Sequence, residues 1–116
     1  MSHAWTSQMR KGVVELCVLT LLDETEHYGY QIVQRLQAIG PLALSESTVY
    51  PVLARLAGDG AIAVRVEPSP SGPPRRWYRL TAEGREQLRL MTNDWHELAR
   101  GVTDLIKQTR TARRTP

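Results

Sequence analysis

Apolar positions along the chain change their spacing several times, and each change marks an element. Residues 7–23 carry Val13, Val14, Leu16, Cys17, Val18, Leu19, Leu21 and Leu22 with almost no polar face between them. A helix that is apolar nearly all round is covered on most sides. In a chain of 116 residues this predicts that a second subunit supplies part of the cover. Residues 25–28 break the run. Residues 28–39 then read as an amphipathic helix, because Ile32, Val33, Leu36 and Ile39 recur at spacings of three and four, and Gly40 and Pro41 stop it. A third helix starts near Ser45, with Ser45 or Ser47 as its N-cap. Val49, Val52, Leu53 and Leu56 make its inner stripe, while Ser47, Pro51, Ala54 and Gly58 fall on the opposite face, flanked by Tyr50 and Arg55. Pro51 lacks the N–H that a helix interior needs, so it belongs in the first turn or two. Gly58 and Gly60 close the helix.

From here the spacing falls to two. Residues 61–67 place Ile62, Val64 and Val66 on one face of a short strand. Residues 68–74, rich in Pro, Ser and Gly, make a loop, and residues 76–80 a returning strand, so the pair predicts a β-hairpin whose tip is flanked by arginine. Thr81 caps a final helix, and Glu83 in its first turn complements the helix dipole. Leu88, Met91, Trp95, Leu98, Val102 and Leu105 then form a heptad seam, and the helix runs to about Gln108. The expected fold is α+β, mainly α: a winged helix-turn-helix over residues 1–80, with a flexible lead-in at 1–6, a dimerisation helix at 81–108, and a flexible basic tail at 109–116.

That order of elements carries a functional expectation. In a winged helix the third helix enters the major groove and the hairpin lies along the DNA backbone. The outer face of the third helix must then be small and polar, as Ser47, Thr48, Tyr50, Pro51 and Ala54 are, with Arg55 at its flank. Arg75 and Arg76 at the base of the wing are placed to bind phosphates, the main source of affinity for DNA. The net charge of +3 adds little by itself, but its distribution matters. Arg75, Arg76 and Arg79 share the hairpin with no acid after Glu67, and Lys107, Arg110, Arg113 and Arg114 follow Leu105 with no acid among them.

Other chemistry is excluded or left thin. The longest apolar run, Leu16 to Leu22, is far short of the roughly 20 residues of a membrane span, and the N-terminus lacks a signal-peptide pattern, so a cytoplasmic protein is expected. The single cysteine, Cys17, precludes an internal disulfide; it reads as a buried small hydrophobe or as a redox thiol. His3, His27 and His96 lack metal-ligand spacing, and no nucleophile motif, phosphate loop or carboxylate pair is present, so neither an enzyme nor a metal or other cofactor is expected. A winged-helix protein–protein adaptor is the alternative, although the small polar face of the third helix lacks the apolar centre that such interfaces favour.

Gly29-Tyr30, the run from Leu44 to Leu56 with its Thr48-Val49-Tyr50-Pro51 core, Gly60-Ala61-Ile62, and Gly72 to Gly84 with Arg75-Arg76-Trp77-Tyr78-Arg79-Leu80-Thr81, together resemble the PadR family of transcriptional regulators. The resemblance runs from about Met9 to Trp95, and the single C-terminal helix is similar to the short-chain branch. It implies a repressor homodimer on a palindromic operator in double-stranded DNA, with Tyr50, Arg75 and Arg76 on the DNA and the first and last helices in the dimer interface. The expected DNA contacts are therefore Tyr30, Ser47, Thr48, Tyr50, Pro51, Arg55, Arg75 and Arg76. The family often has glycine where Ser47 stands, and tyrosine or phenylalanine where Trp77 stands, which bears on operator sequence rather than fold.

In some short relatives a tryptophan of the last helix stacks on planar hydrophobic compounds held between subunits, and Trp95 resembles it. Trp95 is read either as an interface residue or as part of a pocket for a hydrophobic or planar aromatic effector, with Glu15, Leu16, Leu19, Leu88 and Met91 as candidate walls. Glu15, a carboxylate in an apolar run, faces solvent or meets a cationic ligand in that reading.

Overall fold

A computed structural model describes residues 4–114. In chain order the elements are α1 (Ala4–Glu24), β1 (His27–Tyr28), α2 (Gly29–Ala38), a 3-10 turn (Gly40–Leu42), α3 (Glu46–Gly58), β2 (Ile62–Glu67), β3 (Arg75–Leu80) and α4 (Ala82–Arg114). The fold is mainly helical, a winged helix with a long C-terminal helix, as the apolar spacing predicts. No helix among the described residues is long and apolar enough to cross a membrane.

The core forms where α1, α2, α3 and the sheet converge. Leu19, Ile32, Leu36, Leu53 and Leu56 are at most 1% exposed, and Val18, Val33 and Val49 are fully enclosed. Each such side chain contributes roughly 1.5–3 kcal/mol relative to exposure. Val52 of the expected inner stripe is only partly buried. The expected reason for the all-apolar α1 changes here. Val14, Val18, Leu19, Leu21 and Leu22 are buried within the single chain, so the domain itself covers most of this helix. Its uncovered apolar residues, Trp5 and Met9, lie at its N-terminal end.

Several boundaries move. Helix α1 already includes Ala4–Thr6, part of the expected lead-in, whose first three residues lie outside the described ones. Helix α4 continues past Gln108 to Arg114, so the described part of the expected flexible tail is helical; residues 115–116 are outside the described range. The 33 residues of α4 span about 50 Å at 1.5 Å each, which explains a molecule 70 Å long and only 20 Å thin.

The sheet gains a strand that apolar spacing does not show. His27 and Tyr28 pair with Tyr78 and Trp77, so β3 is the central strand in the order β1-β3-β2. The wing is thus hydrogen-bonded to the joint between α1 and α2. His27 is 1% exposed. Its Nδ1 donates to the Thr25 carbonyl at 2.8 Å, and its Nε2 accepts from Arg35 at 3.2 Å, while Arg35 also holds Glu24 at 3.1 Å. Both ring nitrogens are therefore engaged. Among the described residues no group of three or more His, Cys, Asp or Glu side chains is placed to hold a metal ion.

Of the apolar face expected for β2, Ile62 is buried but Val64 and Val66 are exposed, because the hairpin projects beyond the body. Helix α3 ends in a Schellman motif: Gly60 (φ +81°) takes the left-handed conformation, its N–H donates to Ala57, and the Ala61 N–H donates to Leu56. Thr81 caps α4, its hydroxyl accepting from the Gly84 N–H at 3.0 Å as expected. The same hydroxyl lies 2.6 Å from the Gly60 carbonyl and 2.9 Å from that of Ala61, which joins the end of α3 to the start of α4.

Candidate nucleic-acid interface

Helix α3 presents Ser47, Tyr50, Pro51, Ala54 and Arg55 outward, all exposed, with Thr48 half-buried beside them. Ser45 is the N-cap residue, yet its side chain does not cap the helix. Its hydroxyl instead lies 2.8 Å from that of Ser47 and 3.3 Å from that of Thr48. The three hydroxyls form one polar patch at the N-terminal end of α3, the end at which recognition helices meet base edges. Pro51 stands in the second turn, where it cannot supply the backbone bond back to Ser47.

Tyr50 lies against the start of α2. A Cβ on Gly29 would come within 2.7 Å of Tyr50 Cε1, so glycine is what lets the ring approach the backbone there. Burial pushes the Tyr50 hydroxyl above the ordinary tyrosine range, and the Glu46 carboxylate adds to this, so the phenol stays neutral and able to donate. Between this ring and the wing is a cleft of about 690 Å³, with Tyr28, Tyr30, Tyr50 and Tyr78 along it and Ser69, Ser71, Arg75 and Arg76 toward the wing. Tyr30 is 47% exposed at its edge.

The two wing arginines are not equivalent. Strand residues alternate faces, so Arg75 shares a face with Trp77, and Arg76 shares one with Tyr78. The Arg75 guanidinium sits 4.8 Å from the centroid of the Tyr28 ring, and Tyr28 meets Trp77 edge to face at 5.2 Å. Arg65 closes the stack, 5.4 Å from the Trp77 centroid, and is tied to Glu26 at 2.6 Å and Glu67 at 2.7 Å. Arg75 is thus held by a cation–π contact, whereas Arg76 on the opposite face is exposed and makes no ion pair among the described residues. Neither β1 nor this stack is visible in apolar spacing, since two residues are too few to show a period.

Residues 18–90 match the Transcriptional regulator PadR-like family. The chain belongs to that family. Its members are transcriptional regulators rather than enzymes. A PadR family regulator from Eggerthella lenta has a solved structure that superposes with a TM-score of 0.81 at 34% identity, covering 89% of both chains. A transcriptional regulator from Mycobacterium tuberculosis is 34% identical over 95 residues, 82% of this chain and 87% of its own. Bacillus subtilis PadR, solved in complex with operator DNA, is similar at a TM-score of 0.62 and 28% identity, over 72% of this chain and 46% of that longer one.

In this PadR-like regulator four of the six residues expected to line an effector pocket, Leu16, Leu19, Leu88 and Met91, lie in or against the core of the single chain. Leu19 is fully enclosed in the core, where α1 packs inside its own domain, and so has no surface open to a ligand in the single chain. Leu88 is 9% exposed, and Leu16 and Met91 pack against the same core from its edge. Trp95 is 42% exposed on α4. Glu15 neither faces open solvent nor waits for a cation from outside: it forms an ion pair with Arg55 of α3. Sequence spacing gives no sign of this pair, because its partners are 40 residues apart. Cys17 is half-buried, and burial pushes its thiol up, away from the reactive thiolate.

Proposed function

We propose that this PadR-like regulator is a homodimeric repressor that binds a palindromic operator in double-stranded DNA. The observation that carries this reading is the meeting, along one cleft, of Tyr50 from the outer face of α3, Tyr28 and Tyr30 at the start of α2, and the two wing arginines. Ser47, Thr48, Tyr50 and Pro51 face base edges, and Tyr30, Arg75 and Arg76 take phosphates on either side. The complex of Bacillus subtilis PadR with operator DNA supports it.

Dimerisation is supported by the apolar residues the single chain leaves uncovered. On α4, Leu98 is 66% and Leu105 62% exposed, with Trp95 and Val102 on the same seam, and Trp5 and Met9 are exposed on α1. A seam at heptad spacing buries such residues against a second copy. Within that seam Trp95 is the candidate contact for a hydrophobic or planar aromatic effector. Such a compound releases the operator only if it binds better to a dimer whose recognition helices no longer match successive major grooves.

Titration against a labelled duplex from upstream of the protein's own gene, with unrelated DNA as competitor, tests the reading. Tight, salt-sensitive binding that survives the competitor is expected. No preference there, nor for any fragment in a genome-wide selection, defeats it in favour of the adaptor.

A further inference from the structure

Glu15 and Arg55 join a core helix to the recognition helix. The backbone of α1 is fixed at this point by its buried neighbours Val14, Val18 and Leu19, and that of α3 by Leu53 and Leu56. Between these two fixed positions, Arg55 Nη1 donates to Glu15 Oε1. A guanidinium carries five N–H donors in a planar fork. The pair occupies Nη1 alone, and the Arg55 side chain makes no other hydrogen bond among the described residues. The Arg55 side chain remains 54% exposed while that of Glu15 is 23% exposed. Arg55 also stands on the flank of α3 opposite Tyr50, about 40° around the helix from Pro51 at ~100° per residue.

On the reading that α3 binds DNA, we infer that Glu15 is a positioning residue: its carboxylate fixes Arg55 by one nitrogen and leaves the remaining donors aimed along the DNA-facing flank of α3. A fixed fork matches a phosphate or a guanine edge, whereas a loose one acts as a mobile charge. A second consequence follows from the sign of the charge. A carboxylate close to DNA repels phosphate, so removing it strengthens binding to any sequence unless orientation is its main contribution. The inference therefore requires that general affinity and sequence preference move apart.

The test uses two duplexes of equal length, one selected from a random pool by the wild-type protein and one scrambled. With Glu15→Gln, binding to the scrambled duplex is expected to tighten. The preference for the selected duplex falls about tenfold, within the range of one well-made base contact. Glu15→Asp keeps the charge but shortens the reach, and is expected to lose the preference too. Arg55→Ala loses it to a similar degree, and Glu15→Gln adds nothing further in that background. Thermal melts establish that each variant is folded. Equal tightening on both duplexes, or an unchanged effect of Glu15→Gln without Arg55, overturns the inference while leaving DNA binding intact. A wild-type protein that selects no duplex from the pool overturns both.

Discussion

A Cβ on Gly84 would lie 1.9 Å from the carbonyl oxygen of Ala61. The first turn of α4 therefore rests directly on the backbone that enters β2, and any side chain at 84 forces the two apart. Thr81 works at the same junction, accepting from Gly84 and bonding the carbonyls of Gly60 and Ala61. Gly84→Ala is expected to cost roughly 1–3 kcal/mol as an overpacking change, toward the upper end because backbone is what must move. Thr81→Ala is expected to cost ~1 kcal/mol through the lost cap. Urea unfolding measures both, and wild-type stability in Gly84→Ala contradicts the close approach.

Tyr50 and Gly29 make a second close contact, and it separates binding from folding. Tyr50→Ala is expected to lower the melting temperature only modestly, since the residue is 38% exposed, and to weaken operator binding about tenfold or more. Gly29→Ala displaces the ring and is expected to weaken binding in the same direction with Tyr50 still present. Electrophoretic mobility shifts of the two variants at equal salt test this.

Arg75 and Arg76 are expected to act through phosphate. Substituting either with alanine should weaken binding to all duplexes about equally and reduce the slope of log affinity against log salt by about one. Tyr28→Leu removes the ring under Arg75. It should weaken binding less than Arg75→Ala, add little in the Arg75→Ala background, and add in full to Arg76→Ala, because the two arginines leave opposite faces of β3.

The exposed seam of α4 predicts the response of assembly. Leu98→Asp places a charge on a residue that is 66% exposed in the single chain, so the fold of one chain is expected to survive while sedimentation shifts from dimer to monomer. Operator affinity should fall with it, as each half-site is then bound alone.

At high pH the buried tyrosine sets the limit. Burial pushes the Tyr78 hydroxyl above its ordinary value near 10, against a smaller lowering by Arg76. The folded state therefore favours the neutral phenol. That stability is fully present below pH 10 and is lost as pH rises through the raised value. Tyr78→Phe should flatten the alkaline fall in melting temperature. Acid has the opposite sign and a small effect: Arg35, Arg65 and Arg89 hold Glu24, Glu26 and Glu86 below the usual carboxylate range. These exposed pairs lose their contribution as pH falls through those lowered values, and salt weakens it.

The parts of this fold legible in the sequence are those written in spacing. Ile32, Val33 and Leu36 place α2, Val49, Leu53 and Leu56 place α3, and Thr81 marks the start of α4. Contacts between distant residues leave no such trace. The strand His27–Tyr28 exists because β3 offers it a partner, and its own two residues carry no period. The stack of Arg75, Tyr28, Trp77 and Arg65 depends on that pairing, and so does the inequality of the wing arginines. The apolar character of α1 is legible, but what covers it is not. Leu19 looks the same in a list of residues whether a neighbouring domain helix or a second subunit lies over it.

Because β1 hydrogen-bonds to the middle strand of the wing, the hairpin cannot swing independently of the helices beside it. On the proposed DNA-binding reading, one chain meets the double helix as a single stamp, the base of its wing fixed against the start of α2 when the chain folds. On the proposal that the protein works as a homodimer, a signal that alters recognition would then act on how two such stamps are mounted relative to each other.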